Sequence, residues 1–527
     1  MKNIDNILIV GGGSSGWITA AFLIKTFPEK NIKVLESPNI PIVGVGESTL
    51  ADITNYREYL EIDEKDFMEY TNASYKMSIK FTDFYNKDAG SFHYPFRFPD
   101  TSDTDKGLRD WMEIKAFHPE TPNEDFVRSY FPHSYLFENN KFSDNKFGFY
   151  GNYDKKRDVA YHFDSVLFGR WLKERYCIPR GVEYILGEVS DAEVSEENGI
   201  DCLILSDDSK LTADLYIDCT GFKSILLNGF MKEPFESYAD MLPNNRAWAT
   251  QLPYNNIDKE LEPFTNCTAI ENGWCWNIPL WSRLGTGYVY SDKYVSKETA
   301  LEEFKNYLKS DKMVVPRTDD EINNLEFKDI PMRIGIHKRT WVKNVVAIGL
   351  SAGFIEPLES NGLFTVCWFV ERLAKSLLRG HTSQWDQDVY NVSTRSIYNN
   401  FAEFVALHYA LSVRTDTPYW QDISKRSFSP DMVNMSPTTT IGFWDLQNRK
   451  MFDAGVDNVA GITYVGVGMN YPMIDRVEQK MASCGYDIEP YINRLKDNLD
   501  NKKKRWSMYA SKELSLYEWL KKNVYNN

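Results

Sequence analysis

Residues 7–16 read Ile7-Leu8-Ile9-Val10-Gly11-Gly12-Gly13-Ser14-Ser15-Gly16, and the segment after them carries Trp17, Ile18, Ala21, Phe22 and Ile24. Four branched apolar residues in a row predict a buried strand. The glycines of Gly11-x-Gly13-x-x-Gly16 predict a tight turn, and the amphipathic segment predicts a helix. Ile32-Lys33-Val34-Leu35-Glu36 then reads as a second strand. Strand, turn, helix and strand in this order open a parallel sheet. Glycines in such a turn let backbone approach a pyrophosphate, and the helix start offers it N–H groups. Glu36, closing the second strand, is placed to accept hydrogen bonds from a ribose. A glycine turn that merely packs helix on strand is the plainer reading.

The 527 residues are 43% hydrophobic and 26% charged, a globular balance that excludes disordered and collagen-like chains. Lys+Arg 60 against Asp+Glu 75 gives a net charge of -15, which disfavours nucleic acid as a partner. The one basic cluster, Lys502-Lys503-Lys504-Arg505, is short. Seven cysteines without a CxxC pair point to a reducing compartment, and seven histidines without an HExxH pair make a zinc site unexpected. The apolar run before Gly11 is too short for a signal peptide, and no stretch approaches the ~20 apolar residues of a membrane span. The chain reads as cytoplasmic, with no membrane partner.

Further along, Asp164–Leu172 reads as a helix, and Leu203–Leu205, Asp214–Asp218 and Asn344–Gly349 read as strands. Residues 85–160 hold no period and read as an irregular insertion. Trp248–Tyr290 alternates like an antiparallel sheet with a turn at Gly285-Thr286-Gly287. A helix follows Gly353, buries Leu363, Val366, Cys367, Val370, Leu373 and Leu377, and ends at Arg379-Gly380.

Ala213-Asp214-Leu215-Tyr216-Ile217-Asp218-Cys219-Thr220-Gly221 resembles the second FAD motif of flavoprotein oxygenases and reductases, and Val345–Gly353 resembles their third. Hydroxylases have Asp after the glycine of that third motif; here Leu350 follows Gly349. The predicted fold class is α/β: a Rossmann-like FAD-binding domain of the flavoprotein monooxygenase type, with an inserted mixed sheet and a mainly helical substrate domain. The FAD-binding domain is expected in segments 1–84, 161–235 and 331–382. A substrate-domain insertion is expected at 85–160, an antiparallel sheet insertion at 236–330 and a helical substrate domain at 383–527.

Four stretches carry a more specific resemblance. They are Gly11–Trp17 (GGGSSGW), Gly44–Thr49 (GVGEST), Gly273–Leu280 (GWCWNIPL, running on into GTGYVYS at Gly285–Ser291) and Gly353–Gly362 (GFIEPLESNG). Tyr161–Asp164 and Arg414–Trp420 agree less closely. Together they make the chain similar to the flavin-dependent tryptophan halogenases over residues 1 to about 420. The resemblance implies that FAD, supplied as FADH2 by a separate flavin reductase, uses O2 to oxidise a halide (chloride, bromide or iodide) to hypohalous acid. That acid halogenates a small aromatic molecule. Assembly into a homo-oligomer is left open.

By the same resemblance Lys80 holds or captures the hypohalous acid, and Glu359 assists the electrophilic substitution. Met77–Thr82 alternates, which places Ser78, Lys80 and Thr82 on one face of a strand; a solvated strand face is the ordinary role of such a lysine. Glu356 has an ordinary role too, beside a helix dipole. The implied halide site is the backbone of Asn361 and Gly362, where most relatives have Thr at the first position. Gly12, Gly13, Ser15, Gly16, Ser37, Glu47, Ser48, Val189, Leu350 and Leu363 are implied FAD contacts, beside Glu36. His93, Phe96 and Ser360 are implied substrate contacts. Trp274 and Trp276 are thought in the family to keep substrate from the flavin. The Tyr-Tyr pair and Glu with which relatives grip free tryptophan are not found after Arg414; Phe443-Trp444 is the nearest aromatic pair. The substrate is therefore left between indole-like and phenolic. A flavin monooxygenase or reductase on the same fold is the alternative enzyme, and a flavin-binding protein without activity the non-enzymatic one.

Overall fold

The computed structural model describes residues 2–40, 47–96, 110–425 apart from 112 and 116, 460–470 and 489–526. Gly44–Gly46, Phe443-Trp444 and Cys484 lie outside them. Two compact units emerge, each assembled from three chain segments. The first is Met1–Ala73, Tyr161–Ala247 and Asp329–Ala402; the second is Ser74–Ala160, Trp248–Lys328 and Glu403–Asn527.

In the first unit Asn6–Val10 lies between Leu215–Asp218 and Asn31–Glu36, all parallel. Val345–Ala347 extends the sheet on one side and Glu183–Leu186 on the other, also in parallel. Trp341–Val342 closes one edge antiparallel. Ile7, Leu8, Ile9 and Val10 are all buried, as expected of a central strand covered on both faces. Helix Ser14–Thr26 packs against helices Ser165–Trp171 and Asn361–Leu377. Asp164 caps the second of these, its carboxylate accepting the Val166 and Leu167 N–H groups. Asn361–Leu377 buries Leu363, Val366, Val370, Leu373 and Leu377; Cys367 is only half-buried.

In the second unit the strands Leu284–Tyr290, Gly273–Pro279, Phe264–Ile270, Ser78–Thr82 and Ser91–Pro95 lie side by side in that order. Phe264–Ile270 and Ser78–Thr82 run parallel and the other pairs antiparallel, so the sheet is mixed. Ser78–Thr82, drawn with the first FAD segment from the sequence, thus belongs to this second sheet. Gly285-Thr286-Gly287 is not a turn but the middle of strand Leu284–Tyr290, and the hairpin closes at residues 280–283. The reason is spatial: a Cβ at Gly287 would enter the Trp276 ring and lie 2.5 Å from the Trp248 carbonyl oxygen. Ser91–Pro95 is a strand inside the segment read as irregular. Ser91 and His93 alternate with Phe92 and Tyr94 along it, and four of its five residues are buried.

Among the described residues no helix is long and apolar enough to cross a membrane, and no cluster of His, Cys, Asp and Glu could hold a metal. The basic cluster lies on helix Glu489–Ala510, where Lys503 pairs with Asp125 at 3.0 Å and Asp500 at 2.7 Å. It is an ordinary solvated helix face.

Candidate functional site

The first unit carries a cradle at the carboxyl end of its parallel strands. Gly11 leaves strand Asn6–Val10 with φ 119°, a conformation that suits glycine. A Cβ at Gly16 would collide with the Gly11 carbonyl oxygen, so this glycine sets the close approach of helix to strand. Beside Gly13 the space is open: a Cβ there meets nothing within 4 Å. Gly13 is the helix N-cap and supplies no side-chain bond, so the first-turn N–H groups are left for an outside acceptor. The Glu36 side chain lies across Gly12, and its carboxylate accepts from Lys173 Nζ at 3.0 Å. Lys173 also stands 3.5 Å from the Tyr184 ring centroid. Burial opposes the Lys173 charge, but its bonds to Glu36 and Tyr184 outweigh it and hold its pKa above the usual lysine value.

The other predicted cofactor residues gather less evenly. Ser15 is packed against Gly349, at the turn Gly349–Ser351 that holds Leu350. Glu47 is buried, and Ser48 Oγ stands 3.1 Å from Ser360 Oγ. Leu363 is buried on the first turn of helix Asn361–Leu377. Ser37 Oγ accepts the Asn39 N–H, and Val189 opens the strand Val189–Ser195. An open space at Gly13, an uncapped helix start and a carboxylate at the end of the second strand fit the diphosphate and ribose of FAD. Asp218, in the second flavin-type motif, ties its own loop: it accepts from Thr220, Leu226 and Leu227 N–H groups.

Glu356 and Glu359 flank the turn Pro357–Glu359 and are both buried. Asn244 Nδ2 donates to Glu356 Oε2 at 2.7 Å, so Glu356 is held in a structural contact rather than beside a helix dipole. Ser360 then adopts a left-handed φ of 56° and starts helix Asn361–Leu377.

The second unit carries Lys80. Ser78, Lys80 and Thr82 share the strand face predicted for them, while Met77, Ile79 and Phe81 are fully buried on the other. Lys80 is half-buried, not solvated. Its ammonium stands 5.6 Å from the Phe264 ring centroid and makes no hydrogen bond or ion pair among the described residues. Directly across the sheet Lys80 faces His93 on one side and Asn266 on the other, and the row continues through Asn277 and Thr286. Thr286 Oγ1 donates to Asn277 Oδ1 at 2.7 Å, and Asn277 Nδ2 to the Tyr307 hydroxyl at 2.8 Å. Polar groups therefore cross a sheet that otherwise reads as hydrophobic.

His93 is 7% exposed, and its Nδ1 is 2.9 Å from Ser78 Oγ. Its ring lies 4.7 Å from that of Phe137 and 5.0 Å from that of Phe264. Burial first, then the charges of Lys80 and Arg128, lower its pKa well below the usual histidine value, so it is neutral at pH 7. Phe96 does not join it. That ring lies 5.9 Å from Tyr94 and 4.9 Å from the Lys76 ammonium, on the other side of the sheet from His93. Residues three apart along an extended chain point to opposite faces.

Sequence reasoning missed two neighbours of Lys80, Phe264 and Glu262, and one of His93, Phe137. Phe264 and Phe137 come from distant segments with no motif. Glu262 precedes Phe264 by two residues, and its carboxyl pKa is pushed up to about 7: burial raises it, the Lys80 charge pulls it back, and Glu260 raises it further. Trp274 and Trp276 lie on the opposite face from Lys80, with ring centroids 6.2 Å apart. Trp274 is fully buried and its N–H has no acceptor among the described residues.

Comparison with known proteins agrees with this arrangement. The family model described as tryptophan halogenase matches residues 6–444. Tryptophan 6-halogenase SttH of Streptomyces toxytricini is 33% identical over 452 residues, 82% of this chain and 83% of that protein. The 7-chloro-L-tryptophan 6-halogenase KtzR of Kutzneria sp. (strain 744) is 34% identical over 447 residues, 80% of this chain and 82% of that protein. Among solved structures, VirX1 in its apo form superposes with a TM-score of 0.89 at 35% identity, covering 99% of this chain and 100% of that one. The crystal structure of SttH gives 0.81 at 30% identity, covering 98% and 99%. A nucleotide cradle on a parallel sheet, an EPLES turn leading into a helix and a half-buried lysine on a second, mixed sheet accompany a family match across most of the sequence: the chain is an enzyme of the tryptophan halogenase family.

Proposed function

We propose that this chain is a flavin-dependent halogenase that places chlorine, bromine or iodine on an aromatic carbon of an indole-like or phenolic small molecule. The reaction consumes O2, one halide, one proton and the two electrons and two protons of FADH2, and releases two waters with the halogenated ring and oxidised FAD. Reduced FAD, delivered by a separate flavin reductase, supplies the oxidising chemistry with O2. The residues at Gly12, Gly13, Ser15, Gly16, Glu36, Ser37, Glu47, Ser48, Val189, Leu350 and Leu363 would hold it. The backbone N–H groups of Asn361 and Gly362 would hold the halide.

The observation that carries this reading is the Lys80 ammonium: half-buried, without a protein acceptor among the described residues, and set over Phe264 opposite a neutral His93. A lysine so placed donates hydrogen bonds to hypohalous acid and makes its halogen more electrophilic. The halogen adds to the ring carbon as the O–X bond breaks, the hydroxide leaves as water by taking a proton from the Lys80 ammonium, and Glu359 takes the ring proton. His93 and Phe264 offer aromatic surfaces beside the lysine, with Phe137 against His93; with Ser360 we assign His93 to the substrate. The six described cysteines are free thiols, in keeping with a cytoplasmic setting.

The test supplies the chain with a flavin reductase, FAD, NADH and bromide, and screens indoles and phenols by mass spectrometry. A bromine isotope doublet on a product supports the proposal. A product heavier by one oxygen would favour the monooxygenase alternative, and flavin binding with no product would favour an inactive relative.

A further inference from the structure

Asn361 is the first residue of the 17-residue helix Asn361–Leu377. Its side chain is 2% exposed, and its Nδ2 is fully enclosed with no acceptor among the described residues. A buried amide N–H without an acceptor is destabilising and uncommon in folded proteins. The Cα–Cβ bond of a helical residue leans toward the helix N-terminus, so the side chain of the first residue reaches past the helix start. The unsatisfied backbone N–H groups of the first turn point into that same region. Ser360, the N-cap residue, does not satisfy them: it makes no side-chain cap bond, and its hydroxyl faces Ser48 instead. Next to them there is room, since a Cβ placed on Gly362 meets no atom within 4 Å. Unmet donors and open space thus lie on the adjacent residues Asn361 and Gly362, at the positive end of a helix dipole.

We infer that the Asn361 carboxamide is a third hydrogen-bond donor to the halide, beside the backbone N–H groups of Asn361 and Gly362. This rests on the halogenase reading above and adds to it a side chain that discriminates between halides. Hydrogen bonds to a halide weaken as the ion grows and its charge spreads. A third N–H donor thus contributes most to chloride, less to bromide and least to iodide.

The experiment uses the full-length chain loaded with FAD, as parent, Asn361→Ala and Asn361→Asp, at constant ionic strength. Chloride binding is read by the line width of the 35Cl NMR signal, and KM for each halide in the reductase-coupled assay. Asn361→Ala is expected to raise KM for chloride roughly tenfold, the worth of one hydrogen bond to a charged group. The rise should be smaller for bromide and smallest for iodide. Asn361→Asp keeps the size but puts an anion in place of the donor, and should abolish the chloride broadening. FAD affinity should stay within about threefold of the parent, since a flavin contact is not what the amide makes.

Folded, flavin-binding variants whose halide constants match the parent would overturn the inference. So would a loss of flavin affinity with the halide constants intact, which would assign the amide to the flavin. A parent that neither broadens the chloride signal nor makes halogenated product overturns the halogenase reading itself. A parent that does both, with variants indistinguishable from it, overturns the third donor alone.

Discussion

Lys80 and His93 are direct partners across the antiparallel pair Ser78–Thr82 and Ser91–Pro95, and both lean on the ring of Phe264: the ammonium 5.6 Å from its centroid, the imidazole edge-on at 5.0 Å. A cation and a neutral base thus share one aromatic surface. The arrangement is stable only while the imidazole stays unprotonated, because a second positive charge beside Lys80 would be both desolvated and repelled.

Replacing Lys80 with alanine should lower halogenation at least about a hundredfold, the usual cost of removing a group that stabilises a transition state, with FAD affinity unchanged. Product formation by mass spectrometry and a flavin titration check the two halves. A Lys80→Ala enzyme that halogenates at the parental rate would remove this lysine from the mechanism.

Glu262 predicts a pH effect. Its carboxyl titrates at about 7 in the folded protein, against a usual value near 4.5. The folded state therefore holds a proton there that the unfolded chain releases, and stability falls as pH rises from about 4.5 to 7. Glu262→Gln abolishes this contribution. Urea unfolding should find the variant more stable than the parent at pH 8, by on the order of 1 kcal/mol after solvent screening of a half-buried group, and equal to it at pH 4. Equal stability at both pH values would mean that the carboxyl is not held protonated.

Two glycines three residues apart should answer differently to alanine. At Gly13 the φ of -76° suits any residue and the space is open, so Gly13→Ala should fold normally. It should nonetheless weaken FAD binding about tenfold or more, because its methyl occupies the approach of the diphosphate. At Gly16 the methyl strikes the Gly11 carbonyl, and Gly16→Ala should lower the melting temperature of the chain even without flavin. Thermal melts and FAD titrations of both variants separate the two effects.

Gly287 tests the packing of the tryptophan pair. Its hydrogen atom is all that the Trp276 indole leaves room for. Gly287→Ala should cost about 1–3 kcal/mol of stability through overpacking and change the near-ultraviolet circular dichroism of the tryptophans. An unaltered spectrum and an unaltered unfolding midpoint would mean that the ring shifts freely.

The parts legible in the sequence were those governed by local rules. The strand–glycine–helix opening, the strand at Leu215 and the helix after Ser360 each depend on a few consecutive residues. The face of Lys80 was also legible, because alternation alone decides it. Its environment was not. Glu262 and Phe264 reach it through a pairing between segments far apart in the chain, and nothing local announces a parallel pairing of Phe264–Ile270 with Ser78–Thr82. The Gly285-Thr286-Gly287 segment misled for a related reason: its glycines answer to a tryptophan on the neighbouring strand, not to a reversal of the chain. His93 and Phe96 looked like one cluster in one dimension and are parted by the pleat of the strand.

Each unit is stitched from three alternating stretches of chain, and this bears on how the protein is made. Asn6–Val10 is made well before one of its sheet partners, Leu215–Asp218, whose own neighbour, Val345–Ala347, arrives later still. Asn6–Val10 can pair early with Asn31–Glu36, but its other side stays open until residue 215 is made, and the sheet stays unfinished until residue 345. Fragments ending before residue 345 cannot complete the sheet. Slow translation, scarce chaperones or truncation would therefore strike this protein harder than one whose domains follow one another in line.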